Sequence, residues 1–230
     1  MALTEQERAG HKGNGAEGSR SRTASRPATR NAAATRRRIL SAAVIEFAAK
    51  GFQGARIDGI ADRAGSNKSL IYSYFDNKDG LFAAVLEKTY ADIRAAEQKL
   101  ELTSRDPVEA MRELVAFSFD YVAGHREFVA IINDENMLQG VHVRDSRRAR
   151  ELNSPLVATI RTLLEQGARM GRFRTDVDPV QLYITIAAVS YFHVSNRHTM
   201  SAIFDLEPAA VCGTARREHV IAVILGYLRV

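Results

Sequence analysis

Apolar residues recur at intervals of three and four positions from Ala32 onward, and this spacing limits the fold more than any other feature of the sequence. Such a period places apolar side chains on one face of an α-helix, whereas a half-buried strand alternates at every second residue. No alternating stretch competes with the helical pattern. We therefore predict an all-α protein of about nine helices.

The first three predicted helices form a compact arrangement. The first covers residues 33–50 and is followed by Gly51. The second occupies RIDGIADRA and meets Gly65, and the third, residues 68–74, begins after Asn67, whose side chain can cap it. Two short helices joined by a tight glycine-containing turn and packed on a longer helix are the parts of a helix-turn-helix unit.

The third helix predicts a surface suited to DNA. We expect three of its side chains to face inward: Leu70, Ile71 and Tyr74. The outward side then carries short or hydrogen-bonding groups: Lys68, Ser69, Tyr72 and Ser73. This side can approach a major groove, while the N–H groups at the helix start, Lys68 and Lys78 can meet phosphates. A small helical bundle with exposed polar tyrosines is the alternative that the pattern leaves open.

The net charge of +5 is concentrated at the N-terminus. Residues 1–38 contain nine Lys and Arg against three acids, a balance of +6, so the other 192 residues total −1. We expect residues 1–31 to form a basic, disordered arm that lies along nucleic acid. A solvated leader that only aids solubility is the alternative.

Composition narrows the remaining classes of protein. With 230 residues and 46% hydrophobic content, the chain can bury the core of one large or two small domains. It has neither a long apolar run nor the apolar region of a secretory signal, so we expect a cytoplasmic protein without a membrane segment. Its single cysteine, Cys212, excludes an intrachain disulfide and a cysteine-based zinc site, and we expect a buried or incidental thiol.

No pattern of catalytic, metal-binding or cofactor-binding residues stands out. GNGAEG at 13–18 matches a dinucleotide-binding motif, but no strand precedes it and no helix pattern follows it. The histidines form no cluster, and the five-residue spacing of His193 and His198 does not place them on one helix face. We therefore predict no catalytic residue, metal or cofactor. An all-α enzyme and a helical adaptor that binds only protein are the rival classes.

The segment GFQGARIDGIADRAGSNKSLIYSYFDNKDGLFAAVL, Gly51 to Leu86, resembles the signature of the TetR/AcrR family of bacterial transcriptional regulators. The matching elements are GF after the first helix, IA at 60–61, AG at 64–65, Y-x-Y-F at 72–75 and K-x-x-L at 78–81. The resemblance implies an all-α homodimer whose N-terminal three-helix domain binds an operator and whose C-terminal helices bind a small effector.

The resemblance also implies roles for particular residues. By the resemblance, seven residues occupy positions that contact DNA in relatives: Lys68, Ser69, Leu70, Tyr72, Ser73, Tyr74 and Lys78. Lys78 would make its contact through a phosphate. The chain departs from the family at Ser66-Asn67, where Val-Ser is usual. Asn67 keeps the cap and joins the predicted DNA-binding surface, but Ser66 gives up an apolar contact in the turn. Arg56 stands where Thr or Ser commonly starts the second helix, and we expect it to reach a phosphate.

We predict a DNA-binding domain over residues 32–78 and an effector-binding and dimerisation domain over residues 79–230. Caps and apolar spacing predict six later helices. The fourth runs from Asn77 to about residue 100, the fifth from Asp106-Pro107 to Gly124, and the sixth covers REFVAIINDENML. The seventh covers residues 145–170 with an interruption or kink at Pro155, the eighth begins at Asp178-Pro179, and the ninth begins at Thr214.

The last two helices are apolar over much of their surface and must bury it against a partner. In the family they form a dimeric four-helix bundle, so the resemblance implies a homodimer on a palindromic operator. Its recognition helices are then about one DNA turn apart, roughly 34–36 Å. Burial in an ordinary core is the alternative for any single residue.

Polar residues within apolar helices are the candidates for contact with an effector, because a buried polar group without a partner is costly. We expect such contacts from Asn133, Asn136, Tyr183, Tyr191, His193 and Asn196. Asp134, Glu135 and His198 share the pattern. A satisfied core or surface position is the alternative for each.

The function that we predict is a repressor associated with the nucleoid and released from a palindromic operator by a small-molecule effector. The effector would favour a conformation whose recognition helices no longer match the operator spacing. The fourth helix is the expected lever, since it joins the DNA-binding domain to the predicted pocket. A ligand-responsive activator of the same fold is the alternative.

Overall fold

The structure is a computed structural model that describes residues 26–144, 146–211 and 213–230. The chain divides into two compact units, residues 1–35 and 36–230, and all contacts given below lie within the second. Across the described residues the fold is helical, which confirms the all-α prediction, with one isolated β-bridge between Phe173 and Arg229. The predictions for residues 1–25 of the basic arm and for Cys212 lie outside the described residues.

Each of the nine predicted helices is present, and the described ranges contain twelve α-helices. They are α1 Arg26–Gly54, α2 Ile57–Ala64, α3 Lys68–Phe75, α4 Lys78–Gln98, α5 Pro107–Gly124, α6 Arg126–Met137, α7 Val141–Arg144, α8 Arg147–Arg169, α9 Pro179–Ser195, α10 Arg197–Phe204, α11 Pro208–Val211 and α12 Thr214–Leu228, with a 3₁₀ turn at Leu102–Ser104. Of the three additional helices, α7 and α11 have only four residues, too few for a recognisable apolar period, and α10 has no buried residue to mark an inward face.

Two helix boundaries differ from the prediction. Helix α1 begins at Arg26, several residues before the predicted start, because the stretch rich in Ala and Arg favours helix without any apolar period. Helix α8 continues through Pro155, so the predicted interruption at this residue is wrong.

Side-chain caps fix the starts of the helices that carry the site. Asn67 and Asn77 each accept a backbone N–H from the residue three positions later, at 2.8 Å. Asp106 and Asp178 each accept two amides from the following helical turn, which begins with proline. At the other end of α2, Gly65 adopts a φ of 55°, which glycine reaches without the Cβ penalty of other residues. These local bonds agree with the predicted cap residues.

The first hydrophobic core joins α1, α2, α3 and the beginning of α4, and it also takes in Ile131 of α6. Its centre is aromatic: the rings of Phe47 and Phe82 meet edge to face at 4.9 Å, and Phe52 lies 5.1 Å from Phe82. The second core is larger and is built mainly from α5, α8, α9 and α12. Helix α4 therefore belongs to the first core as far as Leu86, beyond the predicted domain boundary at residue 78.

The inward face of α3 differs from the prediction at Leu70. Ile71 is fully buried and Phe75 is buried one turn later, so these two residues anchor the helix. Leu70 retains 36% of its surface and Tyr74 is half-buried. Adjacent residues on a helix point about 100° apart, so the rotation that buries Ile71 turns Leu70 outward. Leu70 thus lies on the exposed side with Tyr72.

Of the helices described, none combines the length and the apolar character needed to cross a bilayer.

The neighbouring residues Leu70 and Ile71 provide a test of this orientation. We expect Ile71→Ala to lower the free energy of unfolding by about 2–5 kcal/mol, because it opens a cavity in the first core. Leu70→Ala removes exposed surface and should change it by about 0.5 kcal/mol or less. Urea denaturation of the two variants measures the difference, and equal losses would contradict the assigned rotation of α3.

Candidate DNA-binding surface and effector cavity

The exposed side of α3 presents a short-chain polar surface. Lys68, Ser69, Tyr72 and Ser73 are all exposed, as predicted, and Tyr72 keeps 42% of its surface. The Ser73 hydroxyl donates to the Leu70 carbonyl at 2.9 Å, so it is already directed along the helix. None of these four residues belongs to either of the two cores.

Three cationic side chains lie near this helix. Lys68 forms an exposed ion pair with Asp58 of α2 at 2.7 Å, and exposed pairs of this kind are weak enough to exchange for a phosphate. Lys78 donates to the carbonyl of Gln53 at 3.3 Å and lies 5.0 Å above the ring of Phe52. Arg56, immediately before α2, has an exposed side chain. Their charge is therefore available at the surface.

A buried carboxylate fixes α2 against α1. Glu46 is buried, and its Oε1 accepts the ammonium of Lys50 at 2.6 Å and the backbone N–H of Arg56 at 3.4 Å. The hydrogen bond from Lys50 lowers the pKa of Glu46 against the opposing effect of burial. Gly59 leaves room for this group, since a Cβ there would lie 3.0 Å from Oε1.

The turn between α2 and α3 contains Ser66, where the family usually has valine. Its backbone N–H donates to Ala61 at 2.9 Å, but its hydroxyl is buried and makes no hydrogen bond to any described residue. Asn67 caps α3 as predicted. The turn thus keeps its backbone geometry without the apolar contact that a valine would provide.

A cavity of about 280 Å³ lies among α4, α5, α6, α8 and α9. Three of the predicted effector contacts line it, Asn136, Tyr183 and Tyr191. Asn133 does not line the cavity itself but contacts a lining residue, because its Oδ1 accepts a hydrogen bond from the hydroxyl of Tyr191 at 2.5 Å. That hydroxyl also lies 3.2 Å from the carbonyl of Val129, which ties α9 to α6. The structure therefore brings four of the six predicted residues to the cavity or its wall.

The other two predicted residues do not line the cavity. His193 is buried with its ring stacked on Phe119 at 4.2 Å, and burial lowers its pKa, which keeps the imidazole neutral. Asn196 ends α9, where its amide donates to the Phe192 carbonyl and to the Ser195 hydroxyl. Positions 191 and 193 point about 200° apart on a helix, so a rotation that turns Tyr191 to the cavity turns His193 away from it.

The three residues that shared the polar pattern also serve other roles. Asp134 accepts the backbone N–H of Phe52, Glu135 is bonded to His142, and the exposed His198 lies 3.1 Å from the Nε of Arg197. None of the three lines the cavity.

The cavity is also lined by residues that the sequence analysis did not single out, above all Arg94 of α4. Its side chain is only 9% exposed, and it pairs with the equally buried Glu97 at 2.8 Å. Tyr90 and Ser190 also line the wall. The sequence could have indicated that these residues face inward, because positions 90, 93, 94 and 97 continue the three- and four-residue spacing of the apolar face of α4 beyond Leu86.

A buried carboxylate connects the cavity wall to the first core. Glu135 of α6 accepts the backbone N–H groups of His142 and Val143 at 2.8 and 2.9 Å, and its other oxygen lies 2.7 Å from Nδ1 of His142. The His142 ring packs at 5.0 Å from Phe52 and 4.9 Å from Phe82. Helix α6, which contributes Ile132 and Asn136 to the cavity, is thereby fastened beside the DNA-binding unit.

No group of three or more His, Cys, Asp or Glu side chains is placed to hold a metal ion in the part of the chain that the structure describes.

Comparisons with known proteins agree with this architecture. The family model described as bacterial regulatory proteins, tetR family, matches residues 39–85, and a tetracyclin repressor-like C-terminal domain matches residues 107–224. The chain is 45% identical over 175 residues to the HTH-type transcriptional repressor NicS of Pseudomonas putida, which covers 76% of this chain and 82% of that protein.

Two Streptomyces coelicolor proteins are also similar. The HTH-type transcriptional repressor SCO4008 is 38% identical over 141 residues, 61% of this chain and 70% of its own. The crystal structure of the putative transcriptional regulator SCO4942 superposes with a TM-score of 0.62 at 24% identity, covering 84% of this chain and 98% of the other, which shows the shared fold. The protein is thus a DNA-binding transcriptional regulator. It belongs to the TetR family of bacterial regulatory proteins.

The cap of α3 provides a prediction for this surface. Asn67→Ala removes the acceptor for the Leu70 amide, so we expect a loss of about 1 kcal/mol in stability and weaker binding to DNA. Asn67→Ser, the matched control, retains a capping oxygen and should keep both close to the parent. Thermal denaturation and fluorescence anisotropy measure the two effects. An alanine variant as stable as the serine variant would exclude a role for the cap.

Proposed function

We propose that the protein is a repressor that binds a palindromic operator as a homodimer and leaves it when a small molecule occupies the cavity. The observation that carries the proposal is the continuity of α4. Its first turns are buried in the DNA-binding core through Leu81 and Phe82, and its later turns line the cavity through Tyr90, Ile93 and Arg94. The relatives NicS and SCO4008 are both named repressors, which supports repression over activation.

The DNA-binding surface that we propose is the exposed side of α3 together with its cationic neighbours. Base contacts would come from the outward groups of the helix: Ser69, Leu70, Tyr72, Ser73 and Tyr74. Phosphate contacts would come from Arg56, Lys68 and Lys78, with Asn67 holding the helix start. The basic residues 1–31 would add attraction that does not depend on sequence, because phosphate contacts carry no direct base information.

The homodimer would form through α9 and α12. These helices contact each other, and both expose large apolar side chains: Val180, Ile184 and Phe192 on α9, Val223 and Tyr227 on α12. Apolar side chains adjacent on two neighbouring helices fit a second copy of the same pair, which gives a four-helix bundle. A two-fold axis through this face matches the symmetry of a palindromic operator.

The release mechanism is a population shift. A ligand that prefers one position of α4 favours that position by the difference between its two affinities. Because α4 is shared between the first core and the cavity wall, its displacement would alter the placement of α3 and the match of the two recognition helices to the operator. The Glu135–His142 contact provides a second connection, from α6 to Phe52 and Phe82.

A regulator of this kind works at chromosomal DNA, and we therefore expect it in the cytoplasm with the nucleoid. We propose no catalytic role for any of its residues.

The DNA-binding proposal is tested with duplex DNA from the region upstream of the protein's own gene. We expect Tyr72→Ala to weaken operator binding by about 1–3 kcal/mol with little effect on unrelated DNA. Lys68→Ala should weaken binding to both and reduce the salt slope by about 1. Anisotropy titrations at several salt concentrations measure both, with Lys99→Ala, an exposed charge at the other end of α4, as the control. Unchanged binding of the Tyr72 and Lys68 variants would remove α3 as the recognition helix.

The dimer is tested by placing a charge on the proposed interface. Ile184→Glu would bury a carboxylate between the copies, so we expect sedimentation to show monomers and affinity for the palindrome to fall at least about tenfold. Met137→Glu is the matched control, because Met137 is also highly exposed but lies on α6, which is not one of the two proposed interface helices. An Ile184→Glu variant that sediments as a dimer would place the interface elsewhere.

A further inference from the structure

The cavity has an asymmetric distribution of charge. Its lining is almost wholly uncharged, and the one Lys, Arg, Asp or Glu side chain among the described lining residues is Arg94. We infer that the cavity takes a small organic carboxylate, whose carboxylate group pairs with Arg94 and whose apolar body fills the rest of the space. This inference rests on the proposed function, for which it names the class of effector.

Arg94 has unused hydrogen-bonding capacity. More than nine-tenths of its side chain is buried, yet neither Nε nor Nη1 donates a hydrogen bond to any residue that the structure describes. Nη1 does lie 2.8 Å from Oε2 of Glu97, which is an ion-pair contact without hydrogen-bond geometry. A buried guanidinium with unmet donors is costly, and a carboxylate satisfies two of its donors in parallel. The geometry at Arg94 therefore favours an anionic ligand group.

Glu97 does not occupy the place of that ligand. It lines a smaller neighbouring cavity of about 160 Å³, which shares Arg94 and Leu156 with the larger one. Burial raises the pKa of Glu97 to about 7, against the opposing pull of Arg94. Near neutral pH its carboxyl is therefore partly protonated, and it compensates the charge of Arg94 only in part.

Neutral donors surround the same space. Ser190 is fully buried, and its hydroxyl has no hydrogen-bond partner among the described residues. Burial raises the pKa of Tyr90, so this phenol keeps its proton at neutral pH, whereas the Tyr191 hydroxyl already donates to Asn133. Protonated hydroxyls can donate to an anion, whereas the lining offers no ionised acid to repel one.

The remaining wall selects the body of the ligand. It is formed by aliphatic and aromatic side chains: Ile93, Leu114, Val122, Phe128, Ile132, Leu156, Ile160 and Ile186. A volume of about 280 Å³ corresponds to roughly nine water molecules at about 30 Å³ each, so it suits a ligand of about ten heavy atoms. A single ring or a short chain bearing one carboxylate fits this size and this wall.

The test compares acids with their uncharged amides on the full-length dimer. Benzoate, phenylacetate and hexanoate are titrated by calorimetry beside benzamide, phenylacetamide and hexanamide, which keep the shape but lose the charge. We expect at least one acid to bind tenfold or more tightly than its amide. If no acid is preferred over its amide, the inference is overturned, and this comparison requires no variant.

Variants of the ion pair separate Arg94 from general attraction of anions. Arg94→Met should abolish the preference for the acid, and Arg94→Lys, which keeps the charge without the planar fork, should retain part of it. Glu97→Gln removes the competing carboxylate and should tighten acid binding severalfold. An acid preference that persists in Arg94→Met overturns the assignment. If that variant does not fold, as judged by circular dichroism, the lysine and glutamine variants decide.

The pH dependence gives a readout that a purely structural role would not change. The charged or titratable groups around the smaller cavity are Arg94, Glu97 and Glu101. An anion at Arg94 favours the protonated form of Glu97, so affinity for the acid should fall as pH rises from 6 to 8 through the pKa of about 7. In Glu97→Gln this dependence should disappear, and its persistence would contradict the role of Glu97.

The same preparations distinguish this inference from the proposed function. Operator binding without any acid preference overturns the carboxylate inference and leaves the DNA-binding proposal intact. Acid binding by a protein that holds no operator overturns the proposed function but supports the assignment of the cavity. Acid binding that leaves operator affinity unchanged supports the ligand class and contradicts release by the effector.

Discussion

Helix α4 is the constraint on which the rest of the structure depends, because one rigid element is packed into two environments. Leu81, Phe82 and Leu86 are buried among the helices that present α3, while Ile93 and Arg94 lie on the cavity about two turns beyond Leu86. A packed core repacks between discrete arrangements more readily than it deforms continuously. Any ligand that changes the preferred position of the cavity end of α4 therefore acts on the end that carries Lys78.

A second connection limits how α4 can move. Glu135 satisfies two backbone N–H groups of α7 and contacts the His142 ring, and that ring packs on Phe52 and Phe82. These contacts join α6 to the first core through Phe52 of α1 as well as through Phe82 of α4. Because α6 also lines the cavity, a ligand between α4 and α6 contacts both connections at once. In the proposed mechanism, the second connection therefore consists of buried hydrogen bonds and aromatic packing, both of which have few alternative arrangements.

Sequence reasoning succeeded where the determining interactions are local. The caps at Asn67, Asn77, Asp106 and Asp178 depend on residues two or three positions away, and nine of the twelve described helices were predicted from caps and apolar spacing. It failed where tertiary packing decides the rotation of a helix. Leu70 and Ile71 are equally apolar, and only the surrounding helices determine which is buried. Likewise Tyr191 and His193 lie on one helix but contact different surroundings, the cavity and Phe119.

Arg94 was missed for a different reason, since a charged residue in an amphipathic helix is ordinarily assigned to the solvent face. Its spacing from Tyr90 and Ile93, however, places it on the same inward face of α4 as those residues. A buried guanidinium whose donors are not all paired lowers the stability of the ligand-free protein. A ligand that pairs with those donors recovers the lost free energy, but only in the conformation to which it binds. In the proposed mechanism, a ligand that pairs with Arg94 shifts the population only if Arg94 lines the cavity differently in the DNA-binding and released forms.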